Sequence, residues 1–121
     1  GNSDMHCKNF SMIDMGKREY VLAPAYDLLA VLRADPADTE EMAMSFTVGG
    51  EKGGFDRDTF LKAMADSGVS LPISERLINN MMSHVPDWDR LIDGSFLPDD
   101  MRVSYHQLIS EREKRLQRIG Y

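Results

Sequence analysis

Residues 1–27 read GNSDMHCKNFSMIDMGKREYVLAPAYD, a polar loop followed by two short apolar runs and a final acid. Gly, Asn, Ser and Asp favour such loops because they bond locally to the main chain and tolerate unusual backbone angles. The runs at 10–13 and 20–23 are separated by polar residues around Gly16, and this pattern predicts a β-hairpin. The hairpin would fold the chain back so that Asp27 can reach the opening loop.

Beyond a glycine-rich segment, apolar residues recur at helical spacing, which predicts a series of helices. Asp56 or Asp58 can cap a first helix, and Gly68 would stop it. Pro72 and Ser74 open the second helix, with Ser74 as the expected N-cap.

The remaining chain predicts two further helices and one more strand. A short helix through Trp88 follows Pro86, and the last helix begins at 97–100, where Pro suits the first turn and acids suit its positive end. Residues 42–48 predict a strand, with a glycine-rich turn at 49–54. The fold class is therefore mainly α with a short N-terminal β-hairpin. The residues expected to face inward include Phe60, Leu61, Met64, Leu77, Ile78, Met81, Met82, Val85, Met101, Tyr105, Leu108 and Ile109.

Length and composition place the chain among ordinary globular domains. Its 121 residues suggest one domain, and the net charge of -6 argues against nonspecific binding to nucleic acid. Cys7 is the single cysteine, so no intramolecular disulfide can form. No apolar run approaches the roughly 18 residues that span a membrane, and no signal peptide is visible. We therefore expect a cytoplasmic protein.

Three side chains near the start of the sequence suggest phosphoryl-transfer chemistry. Asp4, Asn9 and Asp27 offer the oxygen ligands that Mg²⁺ takes, usually one or two carboxylates completed by phosphate and water. In protein kinases a catalytic Asp is followed by an Asn and then by a metal-binding Asp in the same order. Taken alone, Asp4 and Asn9 are more simply explained as turn residues that bond to the main chain. Asp4, His6 and Cys7 could also be transition-metal ligands, but the sequence has no second cysteine, and its other two histidines have no ligand-like spacing to this loop.

The stretch GNSDMHCKNFSMI followed by LAPAYDLLA resembles the HipA family of bacterial toxin kinases, which carry a GN-x-D-x-H-x-KN-F-S loop and a P-x-YD motif in this order. The resemblance is close over residues 1–32 and looser over 33–121. It implies the C-lobe of a protein-kinase-like fold, with the catalytic loop, hairpin and metal-binding motif in 1–32 and a mostly helical remainder in 33–121.

The resemblance also implies a role for each matching residue. Asp4 would be the catalytic base, and Asn9 and Asp27 would hold magnesium. His6 would act beside Asp4 by contacting phosphate or by shaping the loop, and Lys8 would contact the phosphates of ATP. Asn2 and Tyr26 are expected to support the loop.

The same resemblance implies a biological setting. The parent protein would be a serine/threonine kinase and the toxin of a toxin–antitoxin pair, with a HipB-like helix-turn-helix antitoxin as its partner. DNA would be bound only indirectly, through the antitoxin. In characterised relatives the protein substrate is an aminoacyl-tRNA synthetase.

A kinase also needs a phosphate loop and an ATP-anchoring lysine, which in family order belong to an N-terminal lobe upstream of Asp4. The chain starts at Gly1 without an initiator Met, and we expect it to be part of a longer protein. The isolated fragment is then expected to bind ATP poorly and to lack kinase activity. The alternative is a noncatalytic C-lobe that binds an antitoxin or a separately encoded N-lobe.

Overall fold

The computed structural model describes residues 2, 4–30 and 53–117. It is mainly helical with a two-stranded antiparallel hairpin near the N-terminus, which confirms the predicted fold class. The chain divides into two compact units, Gly1–Gly54 and Phe55–Tyr121. The strand predicted at 42–48 lies outside the described residues, and the assignment of all 121 residues to a single domain stays a prediction.

The first unit contains the hairpin, formed by β1 (Met12–Gly16) and β2 (Glu19–Leu22). The strands pair with Met12 opposite Leu22 and Ile13 opposite Val21. The predicted hairpin is confirmed, but β1 begins two residues later than expected and continues through Gly16. The connection therefore shrinks to two residues.

Lys17 and Arg18 form this connection, and both have positive φ, of 53° and 66°. Two-residue hairpin loops favour positive φ at both positions because the twist of such turns matches that of the strands. Gly16 also has a positive φ of 85°, and its N–H donates to the Asp14 carboxylate at 2.7 Å. The pairing register shifts between Asp14 and Gly16, which leaves Met15 as an extra residue in β1.

The second unit opens with helix α1 (Arg57–Asp66). The Asp56 carboxylate caps it by accepting hydrogen bonds from the Thr59 N–H at 2.9 Å and the Thr59 hydroxyl at 2.7 Å. These two bonds lower the pKa of Asp56. Gly68 follows the helix with a φ of 84°, the left-handed conformation that commonly ends helices. Both predicted boundaries of this helix are confirmed.

Helix α2 (Leu71–Met82) begins earlier than the sequence predicts. Its N-cap is Ser70, and Pro72 lies in the first turn. Proline is tolerated there because the N–H that it lacks would have no partner within the helix. Ser74 lies inside the helix, fully buried, and its hydroxyl donates to the Ser70 carbonyl at 3.2 Å. The prediction of Ser74 as N-cap was therefore wrong, because a serine inside a helix can bond back to the preceding turn.

Helices α3 (Val85–Asp93) and α4 (Asp99–Leu116) complete the unit. Pro86 lies in the first turn of α3, and Asp99 and Asp100 lie in the first turn of α4. Both helices agree with the sequence prediction. No helix in the part of the chain that the structure describes combines the length and apolar character required to cross a bilayer.

The core of the helical unit is small. Its buried apolar side chains are Phe55, Ile78, Val85 and Leu108. Other residues expected to face inward lie at the surface: Met81 is 55% exposed, Leu77 50% and Met101 36%. The four helices bury only a few apolar side chains, so helical periodicity alone overestimates the core. Trp88 is half-buried and lines, with Met81 and Met82, a surface groove of about 230 Å³.

One buried charge joins three of the four helices. Arg57, at the start of α1, is only 7% exposed. Its guanidinium pairs with the Glu75 carboxylate and donates to the Asn79 side-chain oxygen at 2.7 Å, both on α2. It also donates to the main-chain carbonyl of Leu116 at 2.8 Å, in the last turn of α4, where carbonyls lack partners within the helix. Arg57 therefore supplies hydrogen bonds to acceptors on α2 and α4 and connects both helices to the start of α1.

A histidine joins α3 to α4. The Nδ1 of His106 lies 2.8 Å from an oxygen of Asp89, and its Nε2 lies 2.8 Å from an oxygen of Asp93. A ring that faces a carboxylate at each nitrogen is stabilised in its doubly protonated, charged form. Hydrogen bonding to Asp93 and then to Asp89 accordingly raises the pKa of His106 above its ordinary value of 6.5.

This pair of contacts predicts how the stability of the helical unit depends on pH. Because the folded state holds the His106 proton more tightly than the unfolded chain does, the stabilisation is complete below the unfolded pKa of about 6.5. It is lost as the pH rises through the raised pKa of the folded state. Urea unfolding, followed by circular dichroism, should therefore show that the wild type loses stability as the pH rises from mildly acidic to alkaline. The His106→Gln variant should not show this loss. An identical pH profile in the two proteins would contradict the prediction.

Candidate functional site

The opening loop and the segment after the hairpin meet through Asn9 and Asp27. Asn9 ends a short 3-10 turn, Cys7–Asn9, and is 8% exposed. Its side-chain Nδ2 donates to the Oδ2 of Asp27 at 2.6 Å, and its Oδ1 accepts from the main-chain N–H of His6 at 2.8 Å. The hairpin therefore brings Asp27 to the loop, as the sequence predicts.

Two further hydrogen bonds connect the same segments. The Nδ2 of Asn2 donates to the main-chain carbonyl of Asp27 at 3.0 Å, and the hydroxyl of Tyr26 donates to the main-chain carbonyl of Lys8 at 2.8 Å. The expectation that Asn2 and Tyr26 support the loop is confirmed. Three side chains thus connect residues that are 18 or 25 positions apart in the sequence.

The main chain of Asp27 adopts a left-handed conformation, with a φ of 56°. Residues other than glycine rarely adopt this conformation because Cβ approaches the following carbonyl, although Asp and Asn tolerate it best. Strained backbone of this kind persists where surrounding contacts hold it, and it is frequent at functional sites. Nothing in the sequence marks Asp27 for this conformation.

The structure does not place every predicted site residue at this contact. Asp4 lies in a turn with an exposed side chain, and no hydrogen bond joins that side chain to Asn9 or Asp27 within residues 4–30. The side chains of His6 and Lys8 are exposed as well. His6 and Lys8 contribute to the contact through main-chain groups, an N–H and a carbonyl respectively.

Asn9 and Asp27 have the donor chemistry for a hard cation. The Asp27 carboxylate uses one oxygen for Asn9 and retains a second, and an amide oxygen such as that of Asn9 can accept two interactions. Residues 2, 4–30 and 53–117 contain no group of three His, Cys, Asp or Glu side chains placed to hold a metal. A cation here would complete its coordination with water and phosphate, as Mg²⁺ commonly does. The residues present therefore fit magnesium.

Comparison with known protein families identifies the family of this chain. The model of the HipA-like C-terminal domain matches residues 1–88 of the chain. The chain belongs to the HipA-like C-terminal domain family. The matched part of this HipA-like domain includes the contact between Asn9 and Asp27, helices α1 and α2, and the start of α3. No curated protein matches the chain.

Proposed function

We propose that the protein containing this HipA-like domain is a kinase that transfers the γ-phosphate of ATP to a serine or threonine hydroxyl of a protein. The observation that carries this proposal is the 2.6 Å contact between Asn9 and Asp27. It places an amide and a carboxylate from two separate segments at one point, in the order in which kinases present their metal ligands. The family match over residues 1–88 supports the same reading.

In this proposal Asn9 and Asp27 hold Mg²⁺, with Asp27 presenting the carboxylate oxygen that Asn9 leaves available. When bound, the ion would neutralise part of the negative charge on the phosphates. Asp4, whose side chain is exposed, would orient the acceptor hydroxyl and take its proton. The exposed side chains of His6 and Lys8 would contact the phosphates, which a cationic lysine can do as a point charge.

The biological setting is proposed with the activity. The protein would be the toxin of a bacterial toxin–antitoxin pair acting in the cytoplasm. Its regulator would be a HipB-like antitoxin, and its protein substrate an aminoacyl-tRNA synthetase. These partners are inferred from membership of the HipA-like family rather than from any contact in the structure.

Asp4→Ala tests the assignment of the base. In the longest natural protein that contains this chain, we expect magnesium-dependent phosphotransfer to fall about 100-fold or more, the usual contribution of a general base. Metal binding should be unaffected, because Asp4 has no hydrogen bond to Asn9 or Asp27 within the described loop and hairpin. Initial rates with labelled ATP measure the effect, and Asp14→Asn is a control for loss of a nearby carboxylate. Phosphotransfer by Asp4→Ala at the wild-type rate would rule out this role.

The isolated 121-residue chain is expected to show no autophosphorylation. The residues proposed here hold the metal and the acceptor, whereas kinases anchor ATP through a phosphate loop and a strand lysine. Incubation of the purified chain with labelled ATP and Mg²⁺ measures this directly. Labelling that disappears in Asp4→Ala would contradict the expectation.

One observation favours the noncatalytic alternative, a partner-binding module. Large apolar side chains of the hairpin region are between 40% and 64% exposed, and a two-stranded hairpin is at best marginally stable alone. These side chains are Phe10, Met12, Ile13, Met15, Tyr20, Val21 and Leu22. Slower hydrogen exchange of β1 and β2 on addition of the antitoxin, in a protein without phosphotransfer, would support this alternative over the kinase.

A further inference from the structure

The side chain of Asn2 acts directly on the main chain of the proposed metal ligand. Its Nδ2 donates to the Asp27 carbonyl at 3.0 Å, across 25 positions of sequence. The other end of the same amide, Oδ1, is buried and has no hydrogen-bond partner. A buried amide oxygen without a partner is unfavourable. The placement of Asn2 is therefore not explained by satisfaction of its own polar groups.

The contact from Asn2 stabilises the main-chain conformation of Asp27. Its left-handed main chain, with a φ of 56°, needs support from outside the residue. The Tyr26 hydroxyl fixes the preceding residue to the Lys8 carbonyl at 2.8 Å, and the Asn9 amide holds the Asp27 carboxylate at 2.6 Å. Among the hydrogen bonds of residues 2 and 4–30, only the one from Asn2 involves the main chain of Asp27. Rotation of the main chain at this position would swing the carboxylate away from Asn9.

We propose that Asn2 is a positioning residue for Asp27. Donation from its side-chain amide keeps Asp27 left-handed and so fixes the carboxylate beside Asn9 in the orientation that receives a divalent cation. The cation part of this inference rests on the proposed function, whereas the effect on Asp27 does not. Residues that orient metal ligands typically change metal affinity by 10-fold to 100-fold when they are altered.

NMR of the 121-residue chain tests the proposal without any metal. The one-bond coupling between Cα and Hα of Asp27 distinguishes the left-handed main chain, and hydrogen exchange of the Asn9 side-chain amide reports its bond to the carboxylate. We expect Asn2→Ala to lose both signals while the amides of β1, β2 and α1 keep their protection. Asn2→Gln, which retains the amide donor, should restore part of both. Tyr26→Phe is the matched control, because it removes the bond to Lys8 and leaves the Asp27 carbonyl with its donor.

Mn²⁺, followed by electron paramagnetic resonance, then measures the consequence for the cation. Asn2→Ala should bind Mn²⁺ about tenfold more weakly than wild type. Unchanged coupling at Asp27 in Asn2→Ala would overturn the proposal. Loss of hairpin protection together with the Asp27 signal would also overturn it, since Asn2 would then support the whole unit. A wild-type chain that binds no Mn²⁺ would count against the proposed function, and the coupling would still decide the role of Asn2.

Discussion

Arg57→Ala is expected to lower the free energy of unfolding of the helical unit by about 3 kcal/mol, the scale measured when one partner of a buried ion pair is removed. The substitution removes the donor for the Glu75 carboxylate, for Asn79 and for the Leu116 carbonyl. Those groups lie on α2 and α4, so the loss affects two helix contacts at once. Urea unfolding of the wild type and the variant, followed by helical circular dichroism, measures the difference.

Arg76→Ala is the matched control, because Arg76 is an exposed arginine on α2. Its effect should stay within about 0.5 kcal/mol, as for most surface substitutions. Arg57→Lys should recover little, since a single ammonium cannot reproduce the planar set of donors that the guanidinium offers. A loss below about 1 kcal/mol for Arg57→Ala would show that desolvation of the charge cancels its bonds.

The second large effect is expected at Asp27. In the longest natural protein that contains this chain, Asp27→Ala should reduce phosphotransfer by about 1,000-fold or more, since a bound metal stabilises phosphoryl-transfer charge by several kcal/mol. Asp27→Asn is more informative, because Asn also tolerates the left-handed main chain and preserves the shape of the side chain. The Asp27→Asn variant should be nearly as inactive as Asp27→Ala, because loss of the negative charge weakens metal binding.

Asp14→Asn provides the control for this prediction. Asp14 is also a carboxylate of the hairpin unit, but its hydrogen bond comes from the main-chain N–H of Gly16, within the hairpin itself. Its rate should match the wild type. If Asp27→Asn retains the wild-type rate and its dependence on Mg²⁺, Asp27 is not a metal ligand and the order of the kinase motifs has been misassigned.

Local signals in the sequence predicted the parts of the fold that local interactions determine. Asp56 caps α1 through a residue three positions away, and Gly68 ends it through its own backbone freedom. The contact between Asn9 and Asp27 was also predictable, because a hairpin of known length must return the chain to its starting loop. Ser70 was missed as a cap because Ser74, four residues later, has the same chemistry.

Other features depend on contacts that no sequence period reveals. Arg57 bonds to residues 18, 22 and 59 positions away, and an arginine in a polar stretch is ordinarily expected at the surface. His106 meets Asp89 and Asp93 only once α3 and α4 have packed together. The left-handed main chain of Asp27 likewise follows from its partners rather than from its neighbours in sequence.

The most direct test of the proposed magnesium site is an Mg²⁺ titration of the 121-residue chain and of its Asp27→Asn variant by NMR, observing the Asn9 side-chain amide and the resonances of residue 27. We expect saturable shifts at Asn9 and Asp27 in the wild type, none in the variant, and none at His106 in the helical unit. Shifts that are absent at Asn9 and Asp27, or that are equal in the wild type and the variant, would contradict the assignment of these two residues as the magnesium ligands.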